Sequence, residues 1–309
     1  MSGVPRIVDT LILGGGTTGL VIAGRLAERS GESILVAEAG PDYGSLAGGR
    51  WPSTLLDAQV MPFTHEWGYD SGATYADRVV PFDRARVIGG CSSHNGCAAI
   101  WGYRGDYDAW ADAGNPGWST NELLPFFAMA NERMRVRYPA MEEATPFQRA
   151  SLRAAEAAGI PLVADLNDLD ETVGMGLSPV NIADGVRWNS ALAYLESLRG
   201  KTTLSIAGNH LADRLLIEGG RVTGARLIGP DGPIEVHAGR TIVSAGVYGS
   251  PAILLRSGIG NPEELRRIGI APVHELPGVG RNLHDHPMTH VRFPGTPEHG
   301  SRPHHIRER

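Results

Sequence analysis

Short apolar runs alternate with glycine-rich breaks at the start of the chain. Val8 to Leu13 is a short apolar run, interrupted by Asp9 and Thr10, of the kind found in parallel strands buried on both faces, and it stops at Gly14-Gly15-Gly16. Apolar positions then recur at helical spacing from Thr18 to about Arg29, and Ile34 to Ala37 forms a second buried run that ends at Glu38. The pattern predicts a strand, a glycine turn, a helix and a parallel second strand. Far downstream, Arg214 to Glu218, Val222 to Ile228 and Ile234 to Ala238 alternate with a period of two, separated by Gly-Gly and Asp-Gly, which predicts an antiparallel meander. Thr241 to Gly246 reads as one more buried strand meeting a glycine turn, and "SPAILLRSG" as a helix with proline near its first turn. Between these regions "TPFQRASLRAAEAAGIP" and "GVRWNSALAYLESL" predict two amphipathic helices.

Composition narrows the class. The chain has 309 residues, of which 42% are hydrophobic and 20% charged, as expected of a globular protein that buries one or two cores. A formal net charge of -6 offers no basic surface for nucleic acid, and no apolar run approaches the length of a membrane span. The stretch before the first strand is too short for a secretory signal, so a soluble cytoplasmic protein is expected. Cys91 and Cys97 define neither a disulfide framework nor a zinc site, and small buried thiols are the plain reading. The 41 glycines, clustered rather than periodic, point to tight turns where backbone meets a ligand.

The first of those turns carries recognisable chemistry. Gly14, Gly16 and Gly19 fit G-x-G-x-x-G: a tight turn, a close approach to a pyrophosphate, and close helix packing. Thr17 and Thr18 open the helix whose N-terminal N–H groups and dipole favour phosphate. Glu38, at the carboxyl end of the second strand, stands where a carboxylate accepts hydrogen bonds from ribose hydroxyls. This unit predicts an ADP-containing cofactor and leaves nicotinamide and flavin both open.

Further segments, "RARVIGGCSSHNGCAAIWGYRGDYDAWADAGNPGWS", "SAGVYGSPAILLRSGIG" and "LPGVGRNLHDHP", together with "GGGTTG" and "VAEAGPDYG", resemble the glucose-methanol-choline (GMC) oxidoreductases from about Val8 to His290. The resemblance implies FAD, hydride transfer from a small primary alcohol to flavin N5, and reoxidation by O2 or another acceptor. It implies an α/β fold: a Rossmann-like FAD-binding domain, a parallel sheet with a β-meander, plus an incomplete α+β substrate domain. The expected division is 1–130 and 201–290 for the FAD domain, 131–200 for a partial substrate insertion, and 291–309 for an unstructured tail. No nucleic-acid partner or membrane span is implied, and a homodimer is among the expected assemblies.

Single positions follow from the same resemblance. Arg86, Gly90, Cys91, Asn95, Gly96, Cys97 and Ala98 match positions along the flavin. Trp67 in "HEWGYD" matches a family tryptophan, a half-buried core aromatic being the other reading, and the strand near Ala212 resembles the one whose backbone meets adenine. Family members commonly have Gly or Ser at the place of Cys91 and an aliphatic residue at that of His94. "GGCSSHN" is instead similar to the choline oxidase and choline dehydrogenase branch, and the matching choline oxidase His bonds FAD at the 8α-methyl. His94 is therefore the expected attachment point, with a histidine that merely hydrogen-bonds or packs in the loop as the alternative.

The group that takes the substrate's hydroxyl proton is, in this family, a C-terminal His with a partner His or Asn, and those motifs are absent here, so no catalytic residue is assigned. The second expectation is thus an FAD-binding half with little turnover unless complemented. An NAD-dependent enzyme is the third, disfavoured by the flavin-loop match. His284, His286, His290, His299, His304 and His305 lack regular ligand spacing, and no metal is assigned to them; Asp285 and His286 are expected to make structural hydrogen bonds. Arg187 and Trp188 are expected in surface salt bridging and core packing, with the lining of a pocket as the alternative.

Overall fold

The structure is a computed structural model and describes residues 3–72, 77–170 and 173–286. His290, His299, His304, His305 and the expected tail lie outside the described residues. In chain order the elements begin with β1 (Ile7–Leu13), α1 (Thr17–Arg29), β2 (Ile34–Ala37), α2 (Ser53–Leu56), β3 (Tyr69–Asp70) and β4 (Pro81–Phe82). They continue with α3 (Arg104–Asp112), α4 (Thr120–Arg133), α5 (Pro146–Ala157), β5 (Ile182–Ala183), β6 (Val186–Arg187) and α6 (Ser190–Tyr194). The last are β7 (Leu204–Ala207), β8 (Leu211–Glu218), β9 (Arg221–Gly229), β10 (Gly232–Val243), α7 (Gly246–Arg256), β11 (Ile259–Gly260), α8 (Pro262–Arg267) and β12 (His274–Glu275).

Two compact units divide the chain. The first takes residues up to Pro52, Phe63–His94 and those from Asn189 on; the second takes Ser53–Pro62 and Asn95–Trp188. The boundaries differ from the expected 131–200 insertion. The second unit opens directly after His94, because α3 and α4 pack on each other within it. It closes at Trp188, because α6 packs on α1 in the first unit. There Gly24 leaves so little room that a Cβ would stand 2.7 Å from the Tyr194 carbonyl oxygen.

The first unit is built on a six-stranded sheet in the order β7-β2-β1-β10-β9-β8. β7, β2, β1 and the later part of β10 are parallel, whereas β10, β9 and β8 form the antiparallel meander. This is the α/β class expected from the sequence. β2 is buried along its whole length and β1 over its last four residues, as its apolar run requires. Leu11, Leu13, Leu35, Ala37, Leu227, Val236 and Ile253 belong to one continuous core cluster.

Two strand predictions need correction. Ile234–Ala238 and Thr241–Gly246 are not separate: they form one 12-residue strand, β10, whose first half pairs with β9 and whose second half pairs with β1. Gly239, between them, has no positive φ and simply continues the strand. β8 begins at Leu211 rather than Arg214 because a register shift between Ala212 and Arg214 breaks the period of two. The backbone groups freed there are met from α7: Leu215 N–H donates to Ser257 Oγ at 2.8 Å, and Arg256 Nε donates to the Asp213 carbonyl at 2.6 Å.

The second unit contains α2 to α5 and the β5–β6 hairpin. α5 starts at Pro146 after a Thr145–Gln148 capping box and turns Leu152 and Ala155 inward, as the amphipathic pattern predicts. "GVRWNSALAYLESL" is not one helix. It opens as β6, is cut by Asn189, whose Oδ1 accepts the N–H groups of Ala191 and Leu192, and only then becomes the five-residue α6. Arg187 is not at the surface either: it is 1% exposed, held by three carbonyls that no local pattern announces.

Candidate functional site

The site grows from the β1–α1 turn of the first unit. Gly14 has φ +106, and a Cβ there would stand 2.5 Å from the Ser244 carbonyl oxygen, so the turn between β10 and α7 lies directly against it. Gly19 closes α1 onto the same turn: a Cβ would meet the Gly14 carbonyl oxygen at 2.0 Å. Its work is packing, and it does not line the cavity. α1 is N-capped by Gly16, with no side-chain cap and no acidic residue in its first turn. Thr17 and Thr18 therefore begin a helix whose N-terminal donors carry no side-chain acceptor, a setting that favours an anion.

Glu38 lies where β2 ends. It is 6% exposed, Oε2 accepts the Gly15 N–H at 2.9 Å, and Oε1 accepts the Gly40 N–H at 2.8 Å. Burial pushes its carboxyl up to about 7, against the opposing pull of those two N–H groups and of Arg86. With two lone pairs engaged, the carboxylate retains two further acceptor positions.

The loop after β4 folds back onto the glycine turn. Gly89 N–H donates to the Gly15 carbonyl at 2.8 Å, and Thr17 Oγ1 donates to the Gly89 carbonyl at 3.3 Å. Gly90, at φ +55, opens a short 3-10 turn ending at Ser93, whose first residues face α1. One cavity of about 200 Å³ is lined by Gly14, Gly16, Thr17, Thr18, Glu38, Trp67, Gly90, Cys91 and Ala212, all from the first unit. Nine of the expected positions are thus brought together.

The others stand elsewhere. Arg86 supports the wall from behind, its guanidinium 5.2 Å from the Trp67 ring centroid and its Nε donating to the Ala39 carbonyl at 3.2 Å. His94 is buried, and its Nε2 lies 3.5 Å from Glu66 Oε1. Asn95, Gly96, Cys97 and Ala98 belong to the second unit. There Asn95 Oδ1 accepts the Cys97 N–H at 3.1 Å, and Gly96 and Ala98 line a second cavity of about 500 Å³. Cys97 is buried, and burial pushes its thiol up; Cys91 is half-buried. Asp285 accepts a hydrogen bond from Arg84 at 3.4 Å, and among the described residues no group of three His, Cys, Asp or Glu is placed to hold a metal.

Sequence reasoning missed an aromatic cluster. Trp67 stacks on Tyr69 at 5.5 Å with 5° between planes, Tyr69 meets Tyr248 at 5.3 Å, and Phe82 stacks on Tyr248 at 5.7 Å. Arg84 lies 5.6 Å from the Tyr248 centroid, and Tyr69, Arg84 and Tyr248 all line the cavity. The available signal was the Trp67-Gly68-Tyr69 sequence: Gly68, at φ +71, turns the chain between the two rings, a conformation that favours glycine. The cavity thus offers an anion-binding helix end, a carboxylate and a wall of rings and guanidinium groups, a combination suited to a purine dinucleotide.

Residues 8–288 match the family model described as GMC oxidoreductase. The chain belongs to the GMC oxidoreductases. It is similar to human mitochondrial choline dehydrogenase, 34% identical over 297 residues that cover 89% of this chain and 50% of that protein. It is also similar to the oxygen-dependent choline dehydrogenase of Rhizobium johnstonii, 35% identical over 298 residues covering 90% of this chain and 52% of that one. Among solved structures, pyridoxine 4-oxidase from Mesorbium loti matches with a TM-score of 0.78 and 30% identity, covering 87% of this chain and 55% of that one. The chain spans about half the length of these GMC relatives. Among its described residues no helix is long and apolar enough to cross a membrane.

Proposed function

We propose that the chain binds FAD and serves the oxidation of a small primary alcohol, choline or a related compound, with dioxygen or another acceptor taking the electrons. The observation that carries this reading is the single cavity joining the open α1 N-terminus, Glu38, Ala212 and the Gly90–Cys91 loop. The family and the names of its relatives supply the chemistry. When bound, the flavin supplies the acceptor for the hydride that leaves the alcohol carbon.

The chain's own residues hold and orient. The first-turn N–H groups of α1 receive the diphosphate, whose charge the helix dipole favours. Glu38 accepts the ribose hydroxyls on the acceptor positions left free by Gly15 and Gly40. Trp67, Tyr69, Tyr248 and Ala212, which line the same cavity, would hold the adenine. The Gly90–Ser93 turn would support the flavin, and His94 would be its attachment point. Arg86 keeps Trp67 in place.

A second reading is that these residues hold FAD with little turnover, because no group that takes the hydroxyl proton is assigned among them. The visible spectrum of the purified protein, before and after acid denaturation and filtration, tests the cofactor. Oxidised-flavin bands that stay with the polypeptide support FAD and its attachment; a protein that remains colourless after incubation with FAD sinks both readings. Turnover of choline by the yellow protein separates the first reading from the second.

A further inference from the structure

Glu66 has a fixed place and no part in the scheme above. Its backbone is bridged to Ala85, and the Trp67 N–H donates to the Arg84 carbonyl at 3.0 Å. The carboxylate is held at one end, Oε2 accepting the Arg84 N–H at 3.1 Å. The other oxygen, Oε1, lies 3.5 Å from His94 Nε2, with side-chain exposures of 23% for Glu66 and 8% for His94. Main-chain anchoring of one oxygen thus aims the other at the imidazole. A carboxylate beside a sheltered ring nitrogen holds or takes that nitrogen's proton, and such contacts are often longer without ligand than in the working complex.

We propose that Glu66 is the positioning residue for covalent attachment of FAD at His94, accepting the Nε2 proton so that Nε2 carries the attacking lone pair. The inference rests on the FAD reading given above. In the step, the Nε2–H bond breaks and its proton goes to Glu66. The 8α-methyl loses one proton, the Nε2–carbon bond forms, and the two electrons left with the flavin pass to dioxygen. Those two electrons and the two released protons convert dioxygen to hydrogen peroxide.

The test follows attachment rather than turnover. Wild type, Glu66→Gln, Glu66→Asp and His94→Ala are incubated with FAD in air. Bound flavin is read from the visible spectrum, and attached flavin from the fluorescence and mass of the denatured polypeptide. Wild type should acquire attached flavin and His94→Ala none. Glu66→Gln keeps the shape but is a poor proton acceptor, so it should bind FAD yet attach it roughly tenfold or more slowly. Glu66→Asp, which retains a carboxylate, should recover part of the rate, an outcome that a merely structural role does not produce. Wild-type rates in Glu66→Gln overturn the role of Glu66 and leave attachment at His94 standing. Fully extractable FAD in wild type, or attachment that survives in His94→Ala, overturns the attachment reading and this inference with it.

Discussion

Gly90 and Gly16 touch through their backbones: a Cβ on Gly90 would stand 2.8 Å from the Gly16 Cα. Neither side can yield, because Gly16 caps α1 and Gly90 begins the turn that faces it. The Gly89–Gly90 loop is therefore seated on the β1–α1 turn, this contact adding to the Gly89 N–H to Gly15 carbonyl and Thr17 Oγ1 to Gly89 carbonyl hydrogen bonds.

Gly90→Ala should break that seating. Besides the clash, a left-handed conformation costs an alanine about 1 kcal/mol. FAD affinity should fall at least about tenfold, which corresponds to roughly 1.4 kcal/mol, as read by flavin fluorescence titration. Gly31, whose Cβ position is open, gives the control: Gly31→Ala should leave affinity unchanged. Equal affinities for the two variants would show that the loop is not seated in this way.

The buried Glu38 carboxyl makes stability depend on pH. Raised to about 7 in the folded chain, it releases its proton later than in the unfolded one, so stability falls as pH rises from about 4.5 to 7 and levels off above. A shift of that size corresponds to about 3 kcal/mol, an order-of-magnitude figure. Urea titrations between pH 5 and 8 without FAD should show this loss in wild type and not in Glu38→Gln. Glu38→Gln should also weaken FAD binding about tenfold or more, since a hydrogen bond to a charged acceptor is lost. A pH-independent difference between the two proteins would contradict the raised carboxyl.

Trp67 separates a binding wall from ordinary packing. If its ring borders adenine, Trp67→Ala should lower the affinity for ADP, measured calorimetrically, by about tenfold, within the range of a lost base–aromatic contact. Riboflavin, which has no adenine, should bind both proteins alike. Parallel losses for ADP and riboflavin would return Trp67 to a core role.

How much of this was legible in the sequence depends on how local each feature is. The β1–α1–β2 unit could be read because its glycines and apolar runs are contiguous, and Glu38 follows from the end of β2. The aromatic wall could not be read whole, since Tyr248 reaches Tyr69 and Phe82 only through the β10–α7 turn. The division at His94 was hidden within one continuous motif, "GGCSSHNGCAA", half of which the fold assigns to each unit. Glu66 lay beside Trp67 in the sequence, but only the pairing of residues 66 and 85 aims it at His94.

Arg187 makes the same point in the second unit, and its removal is the severest change expected there. Its Nε donates to the Asn95 carbonyl at 3.0 Å, Nη1 to Leu55 at 2.7 Å and Nη2 to Val60 at 2.6 Å, joining the Ser53–Pro62 segment and the start of the Asn95 segment to β6. Arg187→Met keeps the volume but leaves three inward carbonyls without this donor, a loss of about 3 kcal/mol or more by the usual cost of unmet buried polar groups. Arg187→Lys retains the charge without the planar fork, so it should recover only part of that stability. Urea midpoints of the three proteins measure the order, and a Met variant as stable as wild type would mean that water replaces the guanidinium at no cost. Because Asn95 follows His94 directly, the same variants should slow attachment of FAD only in so far as the backbone at Asn95 moves. Arg187→Lys, with the smaller disturbance, should then attach flavin faster than Arg187→Met.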